Sequence, residues 1–295
     1  MEVPGGKGDN SAKTFDKVSN TIQPACWKAG NQQPGARTYT MILTDTHTHL
    51  YYEADPEKLA QLMERCFTNK ITRLFLPNVD SSSIPQVFNL AKLYPENCFP
   101  MLGLHPCDVK SNFQNELDVI RQEINKTKIY AIGEIGIDLH WDKTTLDFQQ
   151  DAFRQQIAWA MESDLPIVIH CREAFNEILE ILTELKNNKL RGIFHCFTGS
   201  ANQAAQVIEL GFYLGIGGVL TYKNSGLDKA IEQVSLDHIV LETDSPYLTP
   251  VPFRGKPNES SYLVYIAQKL ADLKGVSIEE IARITTQNSK TIFGV

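Results

Sequence analysis

Eight short apolar runs alternate with amphipathic ones from Met41 to the C-terminus, and this alternation constrains the fold more than any other feature. The strand candidates are Met41–Asp45, Thr72–Leu76, Phe99–Gly103, Ile129–Glu134, Pro166–His170, Gly192–His195, Tyr213–Gly217 and His238–Glu242. Their β-branched and apolar residues suit strands of a parallel sheet buried on both faces. Between them apolar residues recur at helical spacing over Pro56–Asn69, Asp147–Ser163 and Glu173–Lys186, and a further helix is expected at Asn202–Leu210. Two more helices, Glu259–Lys274 and Ser277–Ile292, close the chain, the second opened by a capping-box pattern of Ser277 and Glu280. Eight alternations predict an α/β protein, a single-domain (β/α)8 TIM barrel rather than a doubly wound sheet. Such a barrel takes about 250 residues, which the stretch 41–295 supplies.

Residues 1–40 carry Gly, Pro, Asn, Gln and Lys with no sustained period, and read as a disordered leader, a cloning remnant or an over-extended start. The formal net charge of -7 argues against a surface coated with basic residues for tracking duplex DNA. It leaves room for a few cations around a local site. The six cysteines form no CxxC pair, so reduced thiols and a cytoplasmic location are expected. No apolar run approaches the roughly 18 residues of a membrane helix, and no membrane association is expected.

Several of the apolar runs end in residues that bind metals. Asp45, His47 and His49 follow the first, and the period of two in a strand points both histidines to the same side. Glu134, His170, His195 and Asp244 stand at the ends of the fourth, fifth, sixth and eighth runs. In a barrel these ends converge on the C-terminal rim, where active sites of this fold sit. A lone histidine at a strand end is more often a packed residue than a ligand. Packing alone does not explain six candidate ligands on five strand ends. Four histidines, a glutamate and an aspartate exceed what one tetrahedral zinc uses. They suit two divalent ions about 3.5–4 Å apart. His47, His49 and Asp244 are expected to hold one ion, His170 and His195 the other, with Glu134 as the bridge. Mixed nitrogen and oxygen donors allow Mg, Mn or Zn.

Around this set stand candidate substrate residues. His105, at the end of the third run, is expected to contact substrate or to orient a ligand. Arg172 lies two residues after His170, and Arg254 and Lys256 lie in PVPFRGKPNES after the eighth run. Phosphate binding is their expected role, Arg being suited to forked contacts. Asn258 is expected to hold that loop or the substrate. His238 begins its strand, which places it at the opposite rim in a structural role. Cys171 and Cys196 each follow a ligand candidate and so point the other way, as small core fillers.

Taken in order, DTHTH, GLHP, GEIGID, HCR, HCFTGS, ETDSP and PFRGKPNES resemble the motif series of the TatD-family metal-dependent deoxyribonucleases. That family lies within the amidohydrolase-like metal-dependent hydrolase superfamily, and the resemblance spans Met41 to Val295. It implies a TIM-barrel hydrolase with two divalent metal ions that cleaves DNA phosphodiesters, as a 3′-5′ exonuclease on single-stranded ends. It also implies ligand roles for His47, His49, Glu134, His170, His195 and Asp244. DNA is the implied partner, and no protein partner is evident. There are two departures. After GEIGID the family usually has Tyr or Phe, whereas this chain has Leu139, His140 and Trp141, and an aromatic there can stack a base. The family's final NEP is Asn258-Glu259-Ser260 here, which changes the loop rather than the metals. Asp244 is the expected general base, with Glu134 alongside it in the catalytic set.

Two other functions fit the same scaffold. A small-molecule hydrolase of amides, lactones or phosphoesters is one, although Arg254 and Lys256 serve no neutral amide. A non-catalytic binding protein is the other, although it has no need of all six ligands.

Overall fold

The structure, a computed structural model, describes residues 41–295, so the expectation for residues 1–40 lies outside the described residues. Strand and helix alternate throughout. The strands are β1 (Leu43–Asp45), β2 (Ile71–Pro77), β3 (Cys98–Met101), β4 (Ile132–Asp138), β5 (Ile167–Arg172), β6 (Gly192–Phe194), β7 (Phe212–Ile216) and β8 (Ile239–Leu241). The helices are α1 (Pro56–Thr68), α2 (Ile84–Leu93), α3 (Phe113–Ile124), α4 (Leu146–Ser163), α5 (Phe175–Glu184), α6 (Ala201–Glu209), α7 (Leu227–Ile231), α8 (Leu263–Lys274) and α9 (Ile278–Phe293).

All strand pairs are parallel, in the orders β1-β2-β3 and β4-β5-β6-β7-β8. Two seams close the ring. Leu102 bridges to Ile132, joining β3 to β4, and Thr48 bridges to Ser245 across the ends of β1 and β8. The Thr46 amide also donates to the Leu241 carbonyl at 3.0 Å. The result is the TIM barrel expected from the alternation. Helices α2, α3 and α7 were not expected. Of these, α7 is only five residues long, too short to show a period, whereas α2 and α3 do carry apolar residues at helical spacing (Leu117, Ile120 and Ile124 on α3) that the sequence reading passed over. No helix of the described residues is long and apolar enough to cross a membrane.

Outward strand residues such as Ile167, Ile169 and Leu214 pack against the helices. The barrel interior holds a separate cluster, in which Phe75, Phe99, Met101, Ala131, Val168, Ile193 and Val240 meet Ile292 and Phe293 from the end of α9. The chain's C-terminus thus plugs the barrel floor. The Phe293 ring stacks on Phe75 at 3.8 Å, and Arg73 donates to the Val295 carbonyl at 2.6 Å. Phe293→Ala opens a cavity here and is expected to cost about 3 kcal/mol. Urea unfolding reads this as a lower midpoint. Because the floor lies opposite the rim, activity per folded molecule should survive.

Period two carries this inner face up to the rim. On β5, inward Val168 is followed two residues later by His170, and after β6 inward Ile193 is followed by His195. On β4 a register shift between Ile132 and Ile135 interrupts the count. Ile132, Ile135 and Ile137 all pack outward, so the irregularity lets Glu134 face in after Ala131. Bulges of this kind re-aim a side chain beside a site.

Candidate metal centre

Glu134 is the hub of the rim. It is buried, and each of its carboxylate oxygens faces a different group of histidines. Oε2 lies 3.2 Å from His47 Nε2. Oε1 lies 2.7 Å from His170 Nδ1, 3.5 Å from His105 Nε2 and 3.6 Å from His195 Nε2. Asp244 closes the first group, its Oδ1 standing 3.5 Å from His49 Nε2 and 3.8 Å from the Nε2 atoms of His47 and His195. All six sequence-predicted ligands therefore meet in one cluster.

His105 joins them. Its Nε2 is 3.2 Å from His170 Nδ1, so it sits among the donors rather than outside them. His47 and His49 bring their Nε2 atoms to 3.3 Å, and the His47 and His195 rings stack at 3.5 Å. At most one proton can sit between two facing imidazole nitrogens. A divalent cation shared by such nitrogens and the carboxylates satisfies all of them at once, and the donor set fits a metal centre.

Electrostatics agree with a cation site. Burial pushes Glu134 upward, but His105, His47 and His195 outweigh it and hold the carboxyl well below its usual range. Asp244 follows the same pattern: burial raises it, and His49, His195 and His47 bring it below the usual value. For His195, burial favours the neutral ring, yet Glu242 and Glu134 hold it up at about 10.

Behind the donors stand orienting residues that the sequence reading did not assign. Glu242 Oε1 lies 3.0 Å from His195 Nδ1 and accepts the Cys196 amide at 2.5 Å. Gly215 makes room for it, since a Cβ there would lie 2.3 Å from Glu242 Oε2. Asp138 Oδ2 lies 2.8 Å from His170 Nε2, and the Tyr51 hydroxyl lies 3.0 Å from His49 Nδ1. Such partners fix ring orientation and raise ligand basicity. One signal was present: Glu242 precedes Asp244 by two, and Asp138 follows Glu134 by four on the same strand face. Glu242→Gln and Asp138→Asn are each expected to weaken metal binding by about 10–100-fold without unfolding the barrel. Calorimetric titration with Mn checks this.

Asp45 turns out to belong elsewhere. It accepts the Thr243 amide and hydroxyl at 2.9 and 2.6 Å and the His47 amide at 3.3 Å, tying β1 to the end of β8. Asn258 is spent on the same loop. Its Nδ2 donates to the Thr243 and Tyr247 carbonyls at 2.8 and 2.6 Å, and its Oδ1 accepts the Glu259 amide at 2.9 Å. That leaves the buried amide little capacity for substrate.

The expected phosphate cations stand outside the donor cluster. The Arg172 guanidinium lies 5.3 Å from the Trp141 ring centroid, and the Arg254 guanidinium lies 3.9 Å from that of Tyr222. All three of Arg172, Arg254 and Lys256 are exposed, and none forms an ion pair among the described residues. His238 sits at the base of β8, 6.3 Å from the Tyr213 ring, at the rim opposite the cluster.

The chain has relatives among known proteins. The family described as TatD related DNase matches residues 44–294. The uncharacterized metal-dependent hydrolase YabD of Bacillus subtilis (strain 168) is 40% identical over 255 residues, 86% of this chain and 100% of that protein. The 3′-5′ ssDNA/RNA exonuclease TatD of Pectobacterium carotovorum is 28% identical over 83% of this chain and 96% of its own. Among solved structures, the TatD homologue YJJV of Escherichia coli k12 superposes with a TM-score of 0.81 at 27% identity, covering 86% of this chain and 98% of that one.

Proposed function

We propose that this chain, which belongs to the family of TatD-related DNases and is a metal-dependent hydrolase of ester bonds, cleaves DNA phosphodiesters at single-stranded 3′ ends using two divalent ions (Mg, Mn or Zn). The observation that carries the reading is Glu134, with one oxygen toward His47 and the other toward His105, His170 and His195. His47, His49 and Asp244 would hold one ion, and His170, His195 and His105 the other. Ions bound there would polarise the phosphate and lower the pKa of a water.

The protein's own residues do the rest. Glu134 sets the spacing of the two ligand groups. Asp244 is the general base: its Oδ1 faces the histidines, while Oδ2 makes no hydrogen bond among the described residues. Its side chain is 14% exposed against 3% for Glu134, so a proton can leave toward solvent. The left-handed backbone of Asp244 (φ 57°) and the bond from its amide to the His47 carbonyl at 2.9 Å fix the carboxylate at the mouth of the cluster. Arg172, Arg254 and Lys256 grip neighbouring phosphates, their cationic edges uncommitted to any carboxylate. The negative balance of the whole chain suits a grip confined to the rim. A cytoplasmic place of action, expected from the thiols, is part of the same proposal.

The test is a time course on end-labelled single-stranded oligonucleotides with purified protein and Mg or Mn. Stepwise loss from the 3′ end, abolished by EDTA and by His47→Ala, is expected. Hydrolysis of a lactone or amide panel with DNA left intact would overturn the reading.

A further inference from the structure

Trp141 takes no part in the chemistry above, yet it is the most exposed large hydrophobic side chain of the described residues, at 70%. It stands at the catalytic rim, three residues past the end of β4. Strand register brings Asp138 opposite Arg172, and the Leu139 amide donates to the Arg172 carbonyl at 3.0 Å. This sets the guanidinium 5.3 Å from the indole centroid. His140 braces the indole from another side, its ring edge-on at 4.9 Å and its Nδ1 2.7 Å from Glu173 Oε1.

Asp138 is the key to the arrangement. Its Oδ1 accepts the amides of His140 and Trp141 at 2.9 and 3.2 Å, while Oδ2 lies 2.8 Å from His170 Nε2. One buried carboxylate therefore fixes both the Trp141 loop and a metal-centre histidine.

We propose that Trp141 is a stacking platform for one unpaired nucleobase, with Arg172 beside it for the adjoining phosphate, held at a set distance from the metal centre by Asp138. The proposal rests on the nuclease reading and deepens it by naming what grips the strand beside the scissile phosphate. An exposed indole with a cation beside it matches the chemistry of single-strand binding, where base stacking on an aromatic ring joins a charge for the backbone. A base inside a duplex has both faces covered by its neighbours, so the platform favours an unpaired base over an internal paired one.

Three readouts test this. Metal-free protein in EDTA should show its tryptophan emission quenched by an octathymidylate, and the Trp141→Phe variant should not. Trp141→Ala should raise KM for a single-stranded oligonucleotide about tenfold or more, with Trp141→Phe recovering most of the loss. The loss on a base-free diester, methyl p-nitrophenyl phosphate, should be at least tenfold smaller. A single abasic nucleotide, walked along the oligonucleotide, should erase the difference between wild type and Trp141→Ala at one position. Equal losses on the oligonucleotide and the small diester, or an abasic series with no such position, would overturn the platform. Failure of wild type to cut any oligonucleotide would instead sink the nuclease reading. Quenching in EDTA judges the platform separately from that result, and equal quenching in Trp141→Phe would overturn it.

Discussion

Replacing Glu134 by Gln is expected to lower kcat/KM on single-stranded DNA by about 10⁴-fold, the several kcal/mol that divalent ions contribute to a charged transition state. The substitution keeps the size and shape of the side chain but exchanges one acceptor oxygen for an amide donor. Glu134 has an imidazole nitrogen 3.2 Å from one oxygen and another 2.7 Å from the second, so the new NH₂ meets a site built for a cation whichever way it points. Neither ion should then bind at its wild-type affinity. The fold should persist, but the amide loses the interactions with His105, His47 and His195 that hold the carboxylate charged in its buried site. Thermal unfolding of metal-free protein near neutral pH should therefore show Glu134→Gln melting below wild type while still unfolding cooperatively. Activity within tenfold of wild type would remove Glu134 from the hub of the site.

Asp244→Asn should fail differently. Loss of a general base costs about 10²–10⁴ in kcat, and here the loss should remain when Mn is raised to saturation. Asn keeps an oxygen toward His49 and the two other Nε2 atoms, so the ion beside it is weakened rather than expelled. The two variants are separated by metal: extra Mn does not restore Asp244→Asn, whose ions are in place, whereas Glu134→Gln binds neither ion well. Near-normal kcat in Asp244→Asn would assign the base elsewhere.

Much of this was legible in the sequence because a barrel converts order along the chain into position on a rim. His47 and His49 share a side through period two, and His170 and His195 inherit the inward face of Val168 and Ile193. What the sequence hid has three physical causes. Glu134 faces inward only because β4 slips register, and the expected strand stopped there, so Asp138 on the same face went unassigned. Glu242 lies within the barrel mouth because Gly215 on the neighbouring strand vacates the space, a fact of pairing between strands. The direction of side chains at the end of β5 and on the loop after β8 is set by neighbouring rings rather than by any period along the chain: Arg172 and Arg254, expected to bind phosphate, have their guanidinium groups beside the rings of Trp141 and Tyr222. Asn258, expected at the loop or the substrate, spends its hydrogen bonds on the carbonyls of Thr243 and Tyr247.

His105 shows the opposite limit. Its strand end was visible, but its distance from His170 depends on the turn beginning at Pro106, where the Cys107 amide donates to His105 Nδ1 at 3.1 Å and turns Nε2 inward. No count of residues along the chain yields that rotation.

The most direct test of a two-ion centre built on Glu134 is anomalous diffraction from crystals grown with Mn. Two peaks about 3.5–4 Å apart, one beside His47, His49 and Asp244 and one beside His170, His195 and His105, with Glu134 between them, are the expected result. A single peak, or manganese bound away from Glu134, would contradict it.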